Sequence, residues 1–393
     1  MAQTVNTLNL AQAGQKNAVI VTPPDGSLNN EAEQLVHSVR AHYNVQLDIL
    51  SGDQAVQALP TQHAIALGCL ADNPFIASLY YRWNTLADRW YPGTNGWLIQ
   101  FIPSPNKQGD HVLILGGSDP QGVREATHQF IEQLQTNPNG QIPWQLQVQL
   151  GQGHLPLPQD RMDCLGTAAS PILTPESALP EKPYESGFTG DSISNHLLRL
   201  GMYGPHADNY HFSRSSQLGL RYLYTGDLED AKAYHQTLLE EMRSGALQTL
   251  YHYKSIRMFQ LWSLLNPCPV FTDTDRDEIT QAIRTYLIEE SGIATINLIQ
   301  ETSKETEIFS RHHACDALNL WVGADWLYRL TGEAKWLTDR TIADTYFQAQ
   351  SGTDVPLTGL TEGYASYLEV YLEWMLLSCP NKIANDPHIN LWA

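Results

Sequence analysis

Glu307 to Leu330 reads EIFSRHHACDALNLWVGADWLYRL. Apolar residues fall at Ile308, Cys315, Leu318, Trp321, Val322, Trp326 and Leu330, close to the 3.6-residue repeat of a helix. The stretch closes on Leu330-Thr331-Gly332-Glu333, and the same turn recurs at Tyr224-Thr225-Gly226-Asp227. In each turn Gly supplies a left-handed cap, and the acid opens the next helix near its positive end. The pattern predicts antiparallel helical hairpins, stacked as a solenoid or closed as a toroid. Arg311, His312 and His313 crowd the start of the long helix. Adjacent helical residues point about 100° apart, so one core rarely takes both histidines. The plain reading is one core and one surface histidine; the alternative is a functional pair.

On either side of this helix the chain from Asp191 onward keeps the same character. Helices are expected at 208–224, 228–243, 250–265, 273–290, 334–349 and 362–377. Residues 151–190 are punctuated by Pro156, Pro158, Pro171, Pro175, Pro180 and Pro183 and read as a linker or wrapping segment. Upstream, buried-type strands are expected at 18–22, 64–68, 96–102 and 111–117, with others at 45–50 and 144–150. They alternate with helices at 29–43, 73–82 and 120–134. Residues 1–16 look like a loose tail. The expected plan is therefore multidomain: an α/β layer domain at 17–150, the linker at 151–190, and an all-α domain at 191–380.

The chain has 393 residues and a formal net charge of −19, which argues against a general nucleic-acid or anionic-membrane binder. The five cysteines are scattered without a CxxC pair, which fits reduced thiols better than a zinc ribbon or a disulfide framework. No cofactor or metal is expected. Met1 to Lys16 lacks an apolar core, so no secretory leader is read. That leaves a cytoplasmic protein as the sequence stands, or an exported one if a leader lies upstream. Tryptophan and tyrosine are plentiful, which suits a core and equally suits stacking on sugar rings. Gly116-Gly117 and Gly122 lie between a strand and a helix, where a phosphate can be cradled. Without GxGxxG spacing or a P-loop lysine, close strand-to-helix packing accounts for them more simply.

Three segments load a helix start with polar and aromatic residues. The first holds His252, Tyr253 and Arg257; the second Arg311, His312 and His313; the third Glu362, Gly363, Tyr364 and Tyr367. His206 and His211 flank Asn209 near another helix start. In a helical ring such starts line one cavity. His252, Tyr253, His206, Asn209, Arg257 and Trp321 are the candidates for sugar contact.

Residues 191–377 resemble the α/α-toroid domain of polysaccharide lyases of the heparinase II/III and alginate lyase type. In that family an Asn-His pair opens a long helix ending in a TGD-like turn, and a Glu-Gly segment with tyrosines follows. His313 stands in the His place, Thr331-Gly332-Glu333 at the turn, and Glu362-Gly363-Tyr364 with Tyr367 downstream. His312 stands where the family has Asn. Residues 17–150, through Ala66-Leu67-Gly68 and Gly116-Gly117, resemble the accessory α/β domain that precedes the catalytic domain of β-hexosaminidases and α-glucuronidases.

The resemblance implies β-elimination on a uronate-containing polysaccharide. Arg311 or His312 would neutralise the uronate carboxylate. His313 or a tyrosine would take the neighbouring proton, and Tyr364 or Tyr367 would protonate the leaving oxygen. One alternative is a glycoside hydrolase using paired carboxylates, with Glu362 and Asp316 as candidates and Asp208 in reserve. The other is an inactive toroid that binds a glycan or a protein. Glu362 also reads as a plain helix-dipole cap, and Arg257 as a surface ion-pair partner.

Overall fold

The computed structural model describes residues 7–12, 14–106, 108–154, 212–244, 247, 255–287, 311–351 and 362–378. The expected linker beyond residue 154 lies outside them. The chain forms two compact units: Met1–Leu157 with Tyr222–Asp227, and Pro158–Arg221 with Leu228–Ala393.

The first unit is a mixed α/β layer. Its elements are β1 (Thr7–Asn9), β2 (Ala11–Gln12), β3 (Gln15–Lys16), β4 (Ala18–Thr22), α1 (Asn29–Tyr43), β5 (Asp48–Ser51) and α2 (Gly52–Gln57). Then come β6 (His63–Gly68), α3 (Pro74–Tyr80), β7 (Trp97–Ile102), β8 (Val112–Gly117), α4 (Pro120–Thr136), β9 (Gln141–Pro143) and β10 (Leu146–Gln149). The main sheet runs β10-β7-β8-β6-β4-β5. β5, β4, β6 and β8 are parallel, while β7 and β10 join antiparallel at one edge. Every residue of β4, β6 and β8 is buried, as strands covered on both faces require.

The amino-terminal segment is not the loose tail expected. β1 pairs with β9, and β2 with β3. Leu8 and Leu10 are fully buried, so the period-two burial of this short stretch holds it in place. Helix α2 is also new; its start carries a Ser51–Gln54 capping box.

Two features close the places where such a sheet commonly takes a ligand. The order of the parallel strands reverses between β4 and β6, since β5 is added on one side of β4 and β6 on the other, a switch point whose crevice often binds small molecules. There the buried Asn73 amide donates to the carbonyls of Val21 and Leu67, at 3.3 and 2.8 Å, and its oxygen caps α3 through Phe75 N–H. At the start of α4, Asp119 accepts from Gly122 and Asn95 N–H, both at 2.9 Å, so the protein's own carboxylate fills the anion position. A Cβ on Gly122 would lie 2.1 Å from the Gly96 carbonyl oxygen. The glycines therefore serve close packing.

The second unit is helical among its described residues. Its elements are α5 (Ser213–Thr225), α6 (Leu228–Arg243), α7 (Ser255–Leu265), α8 (Asp273–Thr285), α9 (Arg311–Thr331), α10 (Ala334–Ser351) and α11 (Glu362–Ser378); Tyr222 to Thr225, the end of α5, belong to the first unit. Helix α9 packs against α7, α10 and α11. The two recurring turns are built alike. Gly226 and Gly332 have φ of 66° and 70° and each donates to the carbonyl four residues back, at 2.8 Å. Thr225 and Thr331 hydroxyls accept from the following acid's N–H. An aromatic chain of Tyr234, Phe271, Trp262 and Trp326 ties α6, α7 and α9 together.

Candidate functional site at the start of two parallel helices

The direction of each helix follows from its side-chain pairs. Trp321 of α9 donates to Asp344 of α10 at 2.7 Å, and Asp325 pairs with Arg340 at 2.7 Å. One strand of contacts climbs as the other descends, so α9 and α10 are antiparallel. Asp344 also accepts from Trp374 of α11 at 2.8 Å, while Phe347, one turn on, meets Trp374 and Tyr371. Thus α10 and α11 are antiparallel as well, and α9 and α11 run the same way.

Arg311, His312 and His313 therefore begin α9 at the same end of the unit at which Glu362, Tyr364 and Tyr367 begin α11. Only the backbone position of these six residues is described. At about 1.5 Å per residue, His313 lies about 12 Å along the axis from Trp321, and Tyr364 and Tyr367 about 15 and 10 Å from Trp374. Because Trp321 and Trp374 share one oxygen, the three stand at similar height.

One turn beyond His313, Asp316 lies on the same side of α9. It is half-buried, and burial pushes its carboxyl up to about 7. Two buried tyrosines sense its charge. Tyr286, just past α8, is raised first by burial and then by Asp316; Tyr346 of α10 is raised by burial, then by Cys315 and Asp316. A carboxyl that holds its proton near neutrality can donate it, which an ordinary aspartate cannot. A second such acid, Glu241 of α6, is also pushed up to about 7 by burial, against the hydrogen bond from Ser215 and the charge of Arg214.

Other sequence candidates fall elsewhere. Trp321 is buried, its N–H is held by Asp344, and Arg340 lies 5.8 Å from its ring, so it is a packing residue with no face free for a sugar. Arg257 pairs with Glu373 at 2.8 Å and bonds Gln260. Glu373 is level with Trp374, so Arg257 stands about two turns above His313. Residues 250–254, where this helix was expected to begin, lie outside the described residues, so among the described helix starts the shared level is that of α9 and α11. His206, Asn209, His252 and Tyr253 lie outside the described residues. Among those described, no group of three or more His, Cys, Asp or Glu residues is placed to hold a metal ion, and no helix is long and apolar enough to cross a membrane. Sequence reasoning passed over Tyr286 and Tyr346 because each sits at an ordinary apolar helix position; proximity to Asp316 arises only on folding.

No protein-family model matches the chain, and no curated protein does.

Proposed function

We propose that the protein is a carbohydrate-active enzyme of the polysaccharide lyase kind, acting on a uronate-containing glycan at the end of the helical unit where α9 and α11 begin. The observation that carries the reading is the parallel course of these two helices, which brings His313 level with Tyr364 and Tyr367. In this reading Arg311 or His312 neutralises the uronate carboxylate, His313 takes the exposed proton, and a tyrosine protonates the leaving oxygen. The hairpins α5–α6 and α9–α10 are the repeating units of the α/α toroid we assign to this domain.

A hydrolase is the second reading, favoured by the raised pKa of Asp316. Asp316 would be the general acid and Glu362 the base.

Incubation with alginate, heparan and chondroitin separates the readings. The lyase produces an unsaturated end absorbing in the near ultraviolet, lost in His313→Ala with the fold intact. New reducing ends without that absorbance, lost in Asp316→Asn, identify the hydrolase. Glycan binding with neither product identifies an inactive binding toroid.

A further inference from the structure

The sequence holds two Asn-Gly pairs, Asn95-Gly96 and Asn139-Gly140, and both asparagines are exposed. In such a pair the glycine nitrogen can close on the asparagine side-chain carbonyl, and with no Cβ on the glycine nothing obstructs the ring. The surrounding structure treats the two pairs differently. Gly96 N–H donates to the Gly93 carbonyl at 2.8 Å, and a Cβ built on Gly96 would lie 2.5 Å from the Pro92 carbonyl oxygen and 2.6 Å from the Gly151 nitrogen. Asn95 N–H is held by Asp119 at 2.9 Å. The attacking nitrogen and its backbone are both locked there. Gly140 N–H makes no hydrogen bond with a described residue, and neither does the Asn139 side chain. That loop is fixed only at its flanks. The Asn137 side chain accepts from Asn139 N–H at 3.3 Å and donates to the Gln141 carbonyl at 2.6 Å, and the Asn137 carbonyl takes the Tyr43 hydroxyl, also at 2.6 Å.

We propose that Asn139 is a site of spontaneous deamidation, and that the change reaches the amino-terminal strand. The Gly140 nitrogen bonds to the Asn139 side-chain carbonyl carbon, the bond from that carbon to the amide nitrogen breaks, and ammonia leaves with the proton from Gly140. Water then opens the cyclic imide. Cleavage at the side-chain carbonyl gives aspartate; cleavage at the main-chain carbonyl gives isoaspartate, whose backbone is longer by a methylene between residues 139 and 140. Both products carry one more negative charge than asparagine. Gly140 is buried, and its carbonyl accepts from Leu10 N–H at 3.0 Å, beside the paired Asn9 and Gln141 where β1 meets β9. The lengthened backbone of isoaspartate displaces that carbonyl, whereas aspartate leaves the backbone length unchanged. The turn before β9 thus links the chemical ageing of one side chain to the seating of β1.

The test ages the full chain in mildly alkaline buffer, folded and in urea, and maps its peptides by mass spectrometry with fragmentation that separates aspartate from isoaspartate. In the folded chain Asn139 converts roughly tenfold or more faster than Asn95, because a hydrogen bond and close packing must open before Gly96 can react. In urea the two convert at similar rates. Asn139→Gln, which would need a larger ring, stays intact at that position. Hydrogen exchange at the Leu10 amide speeds up several-fold in the isoaspartate fraction and is unchanged in Asn139→Asp, which carries the charge without the longer backbone. Folded Asn95 reacting as fast as Asn139 overturns the proposal, as does an intact Asn139 in the folded chain under conditions where the chain in urea converts. A gap between the two sites that persists in urea also overturns it, since the fold is then not its source. Conversion at Asn139 with Leu10 exchange unaltered overturns the link to β1 and keeps the modification site.

Discussion

Trp321 and Trp374 stand on different helices and donate their indole N–H groups to the same oxygen, Oδ1 of Asp344, at 2.7 and 2.8 Å. One carboxylate thereby fixes the register of α9, α10 and α11. That register sets His313 level with Tyr364 and Tyr367, although none of the three residues in the clasp touches the proposed chemistry.

Asp344→Ala should therefore destabilise the helical unit by roughly 2–4 kcal/mol, because two largely buried N–H donors lose a charged acceptor. Asp344→Asn, which keeps an oxygen acceptor, should lose less. Urea denaturation measures both. In a double-mutant cycle, Trp321→Phe and Trp374→Phe should prove non-additive, since they share one acceptor.

Asp316 should make stability fall as pH rises. Its folded pKa of about 7 exceeds the ordinary value of 3.8, so the folded state holds more protons between those values. Stability is full below about pH 4 for this group and declines through pH 7. Asp316→Asn should remove that decline, raising stability at pH 8 by roughly 2–4 kcal/mol. Denaturant midpoints at pH 5 and pH 8 decide it; an unchanged difference between the two sets aside the buried acid.

His63 acts in the opposite sense. Its ring stacks on His111 at 5.2 Å, its Nδ1 accepts from His111 N–H, and burial pulls its pKa down to about 4. The unfolded state gains a proton below pH 6.5 and the folded state only near 4. Stability of the α/β unit should fall as pH drops across that window, by on the order of 2 kcal/mol after allowing for residual solvent contact. Nuclear magnetic resonance titration of the histidine ring protons reads the pKa directly.

Gly122→Ala should disrupt the α/β unit, because the added Cβ would meet the backbone carbonyl oxygen of Gly96 at 2.1 Å, so one of the two backbones must shift. A loss of about 3 kcal/mol or more is expected. Asp119→Ala, which removes only the cap and the bond to Asn95, should lose about 1–2 kcal/mol. Thermal unfolding of the two variants ranks them.

Much of the fold was legible along the chain. The helix at 228–243 and the starts of those at 273, 334 and 362 agree with the apolar repeat, and both glycine-capped turns form as their residues require. The central strands follow from runs such as Ala18–Thr22. Periodicity and turn chemistry are local properties, and local sequence carries them. The tail was misjudged because Leu8 and Leu10 are too few to form a pattern; pairing with Gln141–Pro143, distant in the chain, makes them a strand.

The site divides along the same line. Residue types placed Arg311 to His313 and Glu362 to Tyr367 at helix starts, which is local information. Whether two starts meet at one end depends on how many times the chain reverses and on the register of each contact. That was decided by Asp344 reaching Trp321 and Trp374. The same long-range packing buried Trp321, turned Arg257 toward Glu373, and raised the pKa of Asp316. Burial and charge at a residue come from neighbours far away in sequence, so no reading of the neighbouring letters supplies them.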